Sequence, residues 1–313
     1  MFPAFIHVII FSRKEDLKMC SYIDLHMHTK YSDDGQFEPA KLVDMCKEAG
    51  VKIMAIADHN TVNAIPEAIK QAQKNGMKCI PAIEIDCTYK DVNLHVLGYG
   101  IDYLDPVFNQ IGKDIEDQEI ASSLKKIELT NALGFDVAKD MLDTVSSNGV
   151  YTGEMFAEVL LKDERYLNHK LLKPYREGKD RGDNPYVNFY WDYYSQGKPC
   201  YVEIQYLSLQ ETIQIINEHG GIAVLAHPGN NLKGKFALFD EMVKEGIQGV
   251  ECFSSYHSEE VNKYFYEKAK EYNLLYTCGS DFHGKTKPSI SLGHNGCKHP
   301  EEVETLLKKY ELI

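Results

Sequence analysis

The run Asp24-Leu25-His26-Met27-His28-Thr29-Lys30-Tyr31-Ser32-Asp33 decides how the rest of the chain is read. His26 and His28 stand at alternate positions of an apolar stretch (Tyr22, Ile23, Leu25, Met27). Strand side chains repeat with period two, so both imidazoles fall on one face of a strand. Short βα loops curl across strand ends, and Asp33 in the following loop therefore brings a carboxylate back over the same spot. Taken alone, His-x-His fits a surface strand with incidental histidines equally well. The remainder of the chain tips that balance.

Residues 51–57 read as a buried parallel strand that runs into Asp58-His59-Asn60-Thr61. A helix lies before it, opened by Pro39, with Leu42, Val43, Cys46 and Ala49 at helical spacing and Gly50 at its end. A third strand over residues 77–83 ends in Glu84, and a fourth over 93–100 carries His95 near its start. After a long interruption the rhythm resumes with Ser208-x-x-Glu211, a capping box that opens a helix. Strands over 222–226, 249–253 and 274–278 then deliver His227-Pro228-Gly229, the Glu251 region followed by His257, and Gly279-Ser280-Asp281-Phe282-His283-Gly284.

Strand after strand thus places His, Asp or Glu at or beside its end: His26, His28, His59, Glu84, His95, His227, Asp281 and His283. A closed parallel barrel gathers such ends on its C-terminal face, whereas core packing would scatter them. Imidazole and carboxylate without thiolate suit Mn²⁺, Fe²⁺ or Zn²⁺. The candidates outnumber the four or so ligands of one tetrahedral ion, so two to three divalent ions are implied, with Mn²⁺ preferred and Glu84 able to bridge. Ions about 3.5–4 Å apart lower the pKa of a shared water towards ~7 and clamp a phosphoryl group. Asp24 and Asp58, flanking ligand histidines, are expected to orient them. Glu251 is left open between a polar core residue and a ligand.

At this point the sequence resembles the PHP (polymerase and histidinol phosphatase) family of metal-dependent phosphoesterases. The resemblance rests on His26-Met-His28-Thr29 with Ser32-Asp33, Asp58-His59-Asn-Thr61, Glu84, His95-Val-Leu-Gly98, Ala226-His227-Pro228 and Gly279-Ser280-Asp281-Phe282-His283-Gly284. It implies a distorted (β/α)7 barrel and hydrolysis of a phosphomonoester by a metal-bound hydroxide. By the same resemblance His26, His28, Glu84 and Asp281 hold one ion, Glu84, His95 and His227 a second, and Asp33, His59 and His283 a third. The family more often has glycine directly after the Ser-Asp pair, where this chain has Asp34 and then Gly35; Asp33 is taken as the ligand in preference to Asp34. Asp281 counts as catalytic through the metals. His257, in a Ser-Tyr-His-Ser context, is implied as a phosphate contact or proton donor to the leaving oxygen.

Length and charge set the remaining expectations. The 313 residues carry a formal net charge of −13, with 43% hydrophobic and 26% charged residues. Such a surface repels long polyanions, so no stable complex with long nucleic acid is expected, and the partner is a small phosphorylated substrate. The eight cysteines have no Cys-x-x-Cys pair, which favours reduced thiols and a cytoplasmic location. The apolar run at residues 2–11 is too short to span a bilayer and lacks signal-peptide features; residues 1–18 are read as an extension outside the fold.

The chain divides into a barrel over 19–105 and 200–313 and an inserted, mainly helical, cap-like subdomain over 106–199. Residues 160–200 hold eight Lys/Arg against six Asp/Glu, together with Tyr186, Phe189, Tyr190, Trp191, Tyr193 and Tyr194. Arg165, Arg176, Arg181 and Lys198 are the candidates for a second phosphate, and the aromatic residues for stacking on a base. Stand-alone relatives with such an insertion act on nucleotides such as 3′,5′-nucleoside bisphosphates, or on short RNA ends, and that is the reading preferred. A histidinol-phosphate phosphatase is the first alternative; a non-catalytic metal-binding regulatory module is one of another class.

Overall fold

The computed structural model describes residues 20–313; the apolar run at 2–11 and the extension over 1–18 lie outside the described residues. Elements run in the order β1 (Ile23–Asp24), α1 (Pro39–Glu48), β2 (Ile53–Ile56), α2 (Ile65–Asn75), β3 (Lys78–Tyr89) and β4 (Val92–Tyr99). The insertion follows with α3 (Pro106–Ala132), α4 (Lys139–Asp143), α5 (Gly153–Lys162) and α6 (Pro185–Tyr193). The chain then returns through β5 (Leu207–Ser208), α7 (Leu209–Glu218), β6 (Ile222–Leu225), α8 (Pro228–Asn231), α9 (Leu238–Glu245), β7 (Gly249–Ser254), α10 (Glu259–Glu271), β8 (Leu275–Gly279) and α11 (Pro300–Lys309).

The sheet order is β1-β2-β3-β4-β6-β7-β8, with β5 paired to β3. Its two edges meet: the Leu25 amide donates to the Cys278 carbonyl at 2.9 Å, the Asp281 amide donates to His26 O at 2.8 Å, and Met27 bridges Phe282 in parallel. This is the distorted, nearly closed barrel. The strand interiors that the sequence reads as apolar runs, such as Ile53–Ile56 and Leu275–Gly279, are buried throughout, as expected where both sheet faces are covered.

One strand departs from the parallel expectation. β3 does not end at Glu84; it continues to Tyr89 and turns back through Lys90 and Asp91, at φ 48° and 61°, into β4. Two successive positive φ values give the turn whose twist suits a tight hairpin. β4 is antiparallel to both β3 and β6. Its beginning therefore lies at the end of the barrel where the parallel strands finish, and His95 reaches the common face from the start of its strand.

The insertion carries a second core, in which Phe135, Leu142, Tyr151, Phe156, Leu160, Tyr175, Phe189, Tyr194 and Cys200 are buried together. α3 links the two cores, burying Phe108 and Ile111 in the barrel and Ile127 and Leu129 against the insertion. The capping box at Ser208 and Glu211 is formed, each side chain bonding the other's backbone amide. No helix among the described residues is long and apolar enough to cross a membrane.

Candidate metal centre

Glu84 stands at the middle of the site with no exposure. Its Oε1 lies 3.0 Å from His95 Nδ1 and 3.1 Å from His227 Nε2. Its Oε2 lies 3.0 Å from His26 Nε2, 3.2 Å from His28 Nε2 and 3.3 Å from His59 Nδ1. Burial alone would raise this carboxyl, but His26, His59 and His95 hold it well below the usual carboxylate range. Asp281 Oδ1 completes the first face, 3.1 Å from His28 Nε2 and 3.5 Å from His26 Nε2. Asp281 has φ 56°, in the left-handed region that a non-glycine residue adopts only when its surroundings enforce it. Here the enforcement includes the hydrogen bond that the Asp281 amide donates to the His26 carbonyl, across the seam of the barrel.

The donor atoms fall into compact groups: His26, His28, Glu84 and Asp281; Glu84, His95 and His227; His28, Asp34, His59 and His283; and His59, Asp86 and His95. Within them His28 Nε2, His59 Nδ1, His283 Nε2, Asp34 Oδ1 and Asp86 Oδ1 are buried without a hydrogen-bond partner. Buried polar atoms without partners are rare. Here they converge on shared spaces with nitrogen and oxygen donors only, a set that fits divalent cations.

The acid in the third group is Asp34, not Asp33. Gly35 makes the difference: a Cβ there would meet Thr29 O at 1.8 Å, so glycine permits a turn tight enough to swing Asp34 inward. Asp34 Oδ2 lies 3.1 Å from His283 Nε2, whereas the exposed Asp33 accepts from Asn148 Nδ2 at 3.0 Å. Asp34→Asn protein reloaded with Mn²⁺ and desalted should retain less metal than wild type, and Asp33→Asn protein the wild-type amount. Elemental analysis decides, and the reverse pattern would return Asp33 to the site.

The expected orienting residues divide. Asp24 touches no ligand imidazole; it accepts the amides of Ser280 at 2.8 Å and Gly293 at 2.7 Å and so fixes the loop that presents Asp281. Asp58 acts at one remove: it accepts from Thr29 N, Thr29 Oγ1 and Ser32 Oγ, and Ser32 Oγ lies 2.9 Å from His28 Nδ1. Glu251, left open from sequence, orients His26 directly, with Oε1 3.1 Å from Nδ1, while its Oε2 accepts the His227 amide at 2.8 Å. Such partners fix the tautomer of a ligand histidine. Sequence reasoning missed Asp86, 3.3 Å from His95 Nε2. It stands two residues beyond Glu84, on the same strand face, and was hidden by ending that strand too early.

His257 is not a proton donor in this geometry. Its Nδ1 lies 3.1 Å from the Cys252 carbonyl, and its Nε2 accepts the Gly229 amide at 3.0 Å. With Nδ1–H donating and the Nε2 lone pair occupied, the ring clips the loop after His227 to β7 and has no proton left to give.

A cleft of about 720 Å³ leads from His59 and His95 outward between barrel and insertion, lined by Tyr190, Trp191, Tyr201, Tyr206, Lys233 and Lys235 among others. The three arginines do not line it. Arg165 is exposed and bound by Asp163 and Asp136. Arg176 donates to the carbonyls of Leu161 and Tyr166, and Arg181 pairs with Asp192. Each arginine fork is spent holding the insertion together, a use that the charge count could not separate from ligand binding. Lys198 is not on the cleft wall but stands close enough to Lys233 to depress its pKa, after desolvation and together with Lys235.

Comparison with known proteins matches the PHP domain model to residues 24–245. The chain belongs to the PHP domain family. With these ligand groups in place it is a metal-dependent phosphoesterase. The chain is 27% identical over 282 residues to a 3′,5′-nucleoside bisphosphate phosphatase of Chromobacterium violaceum, covering 87% of this chain and 90% of the relative. It is 28% identical over 274 residues to a 5′-3′ exoribonuclease of Haemophilus influenzae (85% and 91% covered). It is 25% identical over 265 residues to a phosphoribosyl 1,2-cyclic phosphate 1,2-diphosphodiesterase of Eggerthella lenta (84% and 94%). Among solved structures, an amidohydrolase from C. violaceum shares the fold with a TM-score of 0.72 at 24% identity, over 91% of this chain and 96% of that one.

Proposed function

We propose that this PHP enzyme hydrolyses a nucleotide phosphomonoester, a 3′,5′-nucleoside bisphosphate or the phosphorylated end of a short RNA, using two to three Mn²⁺ ions in a reducing cytoplasm. The observation that carries the reading is the cleft, which joins the ligand groups to a wall of aromatic and cationic side chains. The relatives that act on a nucleoside bisphosphate and on RNA support it. A divalent cluster held by these residues supplies Lewis-acid polarisation of the phosphoryl group and activation of a water. Fe²⁺ or Zn²⁺ would suit the same donors.

The chain's own contribution is placement. Glu251 and the Asp58–Ser32 relay hold His26 and His28 in one ring orientation. Further out, Trp191 and Tyr190 line the cleft as the stacking candidates for a base, while Phe189 and Tyr194 of the same helix region are buried in the insertion core. Lys30, Lys113 and Lys126 on the cleft wall have carboxylate partners in Glu38, Asp117 and Glu119. Lys198, Lys233 and Lys235 have no side-chain partner among the described residues, and Lys233 lies 5.5 Å from the centroid of the Trp191 ring. Lys233 and Lys235 on the cleft wall, Lys233 beside an aromatic ring and near Lys198, suit the second phosphate of a nucleotide.

Mn²⁺-loaded protein assayed against 3′,5′-nucleoside bisphosphates, mononucleotides, 5′-phosphorylated short RNA, histidinol phosphate and an aryl phosphate should favour a substrate with two phosphates. Replacing Lys198, Lys233 and Lys235 together by Ala should raise KM for that substrate by roughly tenfold or more, on the scale of a charged hydrogen bond, and leave aryl phosphate turnover nearly unchanged. Equal losses on both substrates would remove the second-phosphate site, and a preference for histidinol phosphate would replace the nucleotide reading.

A further inference from the structure

One buried cation has no task in the chemistry described so far. Lys287 is 6% exposed, and its Nζ donates to Asp281 Oδ2 at 2.7 Å and lies 5.2 Å from the centroid of the Tyr256 ring. It lines both the wide cleft and a small chamber bounded by His59, His95, Trp191, His227, Asn230, Tyr256 and Asp281. Among the described residues, Lys287 is the only Lys or Arg in that chamber wall, and Asn230 is its only amide side chain.

The segment around Lys287 is fixed from both bodies of the molecule. Lys285 pairs with Glu158 of α5 at 2.7 Å, and the Ser289 amide donates to Asn184 Oδ1 at 3.0 Å, both in the insertion. On the barrel side Thr286 Oγ1 donates to Asp34 O at 2.6 Å and the Lys285 amide to Gln36 Oε1 at 2.6 Å. The two oxygens of Asp281 are divided accordingly: Oδ1 faces His26, His28 and His283, and Oδ2 faces Lys287. An ammonium has three N–H donors. Asp281 takes one, and no other hydrogen-bond acceptor for Lys287 Nζ is found among the described residues.

We propose that Lys287 is a catalytic residue: its ammonium holds a non-bridging oxygen of the phosphoryl group in the chamber, and Asp281 Oδ2 and the Tyr256 ring keep it there. The proposal rests on the phosphomonoester reading above. Burying a lysine is costly unless it is paired; the pairing with Asp281 Oδ2 meets that need and leaves two N–H donors for an anion in the chamber. A donor already oriented spends no reorganisation when the charge develops. The contribution of Lys287 is charge and hydrogen bonding, with no covalent bond to it made or broken.

The test compares Lys287→Met, Lys287→Gln and Lys287→Arg with wild type by three measurements. These are divalent content after reloading, affinity of the metal-free protein for inorganic phosphate by calorimetry, and kcat and KM for an aryl phosphate. Met and Gln should leave metal content unchanged, weaken phosphate binding tenfold or more, and lower kcat by roughly 10²–10³-fold, the scale of a lost oxyanion donor; Arg should restore part of both. Wild-type phosphate affinity in both neutral variants would overturn the proposal, because Lys287 would then only balance Asp281. Activity lost in proportion to metal, with phosphate affinity unchanged, would overturn it too. If wild type binds phosphate through Lys287 yet hydrolyses no phosphomonoester, the anion site stands and the reaction assigned above fails. Gln, which has the reach of Met and keeps an N–H donor for Asp281 Oδ2, decides the matter if Met disturbs folding.

Discussion

Protein carrying Glu84→Gln should emerge from metal reloading with at most one tightly held divalent ion per chain, where wild type should hold the proposed two or three. The expectation follows from how the two oxygens are used. Oε1 serves His95 and His227, and Oε2 serves His26, His28 and His59. An amide keeps one acceptor and turns an NH₂ towards the other set of imidazoles, where it meets donor nitrogens without a lone pair to offer. Both groups that contain Glu84 are therefore broken by one substitution, while the groups of His28, Asp34, His59 and His283 and of His59, Asp86 and His95 keep their members but share His59, which leaves room for one ion. Activity should fall by roughly 10⁴-fold or more, since metal clamp and water activation go together. Elemental analysis alongside a melting curve separates metal loss from misfolding. A folded variant with the wild-type metal content would sink the bridging role.

The same residue explains what was legible in the sequence. Candidates at strand ends can be read because a strand has period two and a barrel brings its ends to one place; the convergence of His26, His28, His59, Glu84, His227, Asp281 and His283 needs no more than that. Sequence reading fails where the outcome depends on a turn. Whether Asp33 or Asp34 faces inward is set by the contact that a side chain at position 35 would make with Thr29 O, a tertiary distance that residue types alone do not encode. The antiparallel course of β4 depends likewise on Lys90 and Asp91 accepting positive φ, in a hairpin without the glycine that usually announces one.

In the insertion the limit is of another kind. Arg165, Arg176 and Arg181 are chemically as suited to phosphate as any lysine, yet acids and carbonyls within the insertion claim all three. Lys233 and Lys235, which face the cleft without such claims, lie just after His227 and not in the basic stretch. A charge count identifies an excess but not which members of it are neutralised by partners distant in sequence. His257 illustrates the same limit: a histidine after a strand end looks functional until both ring nitrogens are seen to be used by the backbone.

Stripping the protein with a chelator should lower its melting temperature, and the gap between loaded and stripped protein should widen as pH rises from about 6.5 to about 9. In metal-free protein burial pulls the His95 pKa down, but Glu84 and Asp86 outweigh it and push the value up to about 9. Burial likewise acts against His26, and Glu84, Glu251 and Asp281 raise it well above its ordinary value. Protons on these imidazoles therefore hold the acid cluster together when cations are absent. A histidine whose folded pKa is raised stabilises the fold fully below its unfolded value of about 6.5, and that stabilisation fades as pH climbs through the folded value. Metal binding needs the same imidazoles neutral, so it strengthens over the same interval. At free metal about 1,000-fold above Kd, each site adds about 4 kcal/mol. At roughly 2–4 °C per kcal/mol, two sites raise the melting temperature by on the order of 15–30 °C. Calorimetry of both forms at pH 6.5, 7.5 and 9 measures the gap. A gap that stays constant or narrows towards pH 9 would mean that protons and cations do not compete for these histidines, which would count against the ligand assignment at His26 and His95 together.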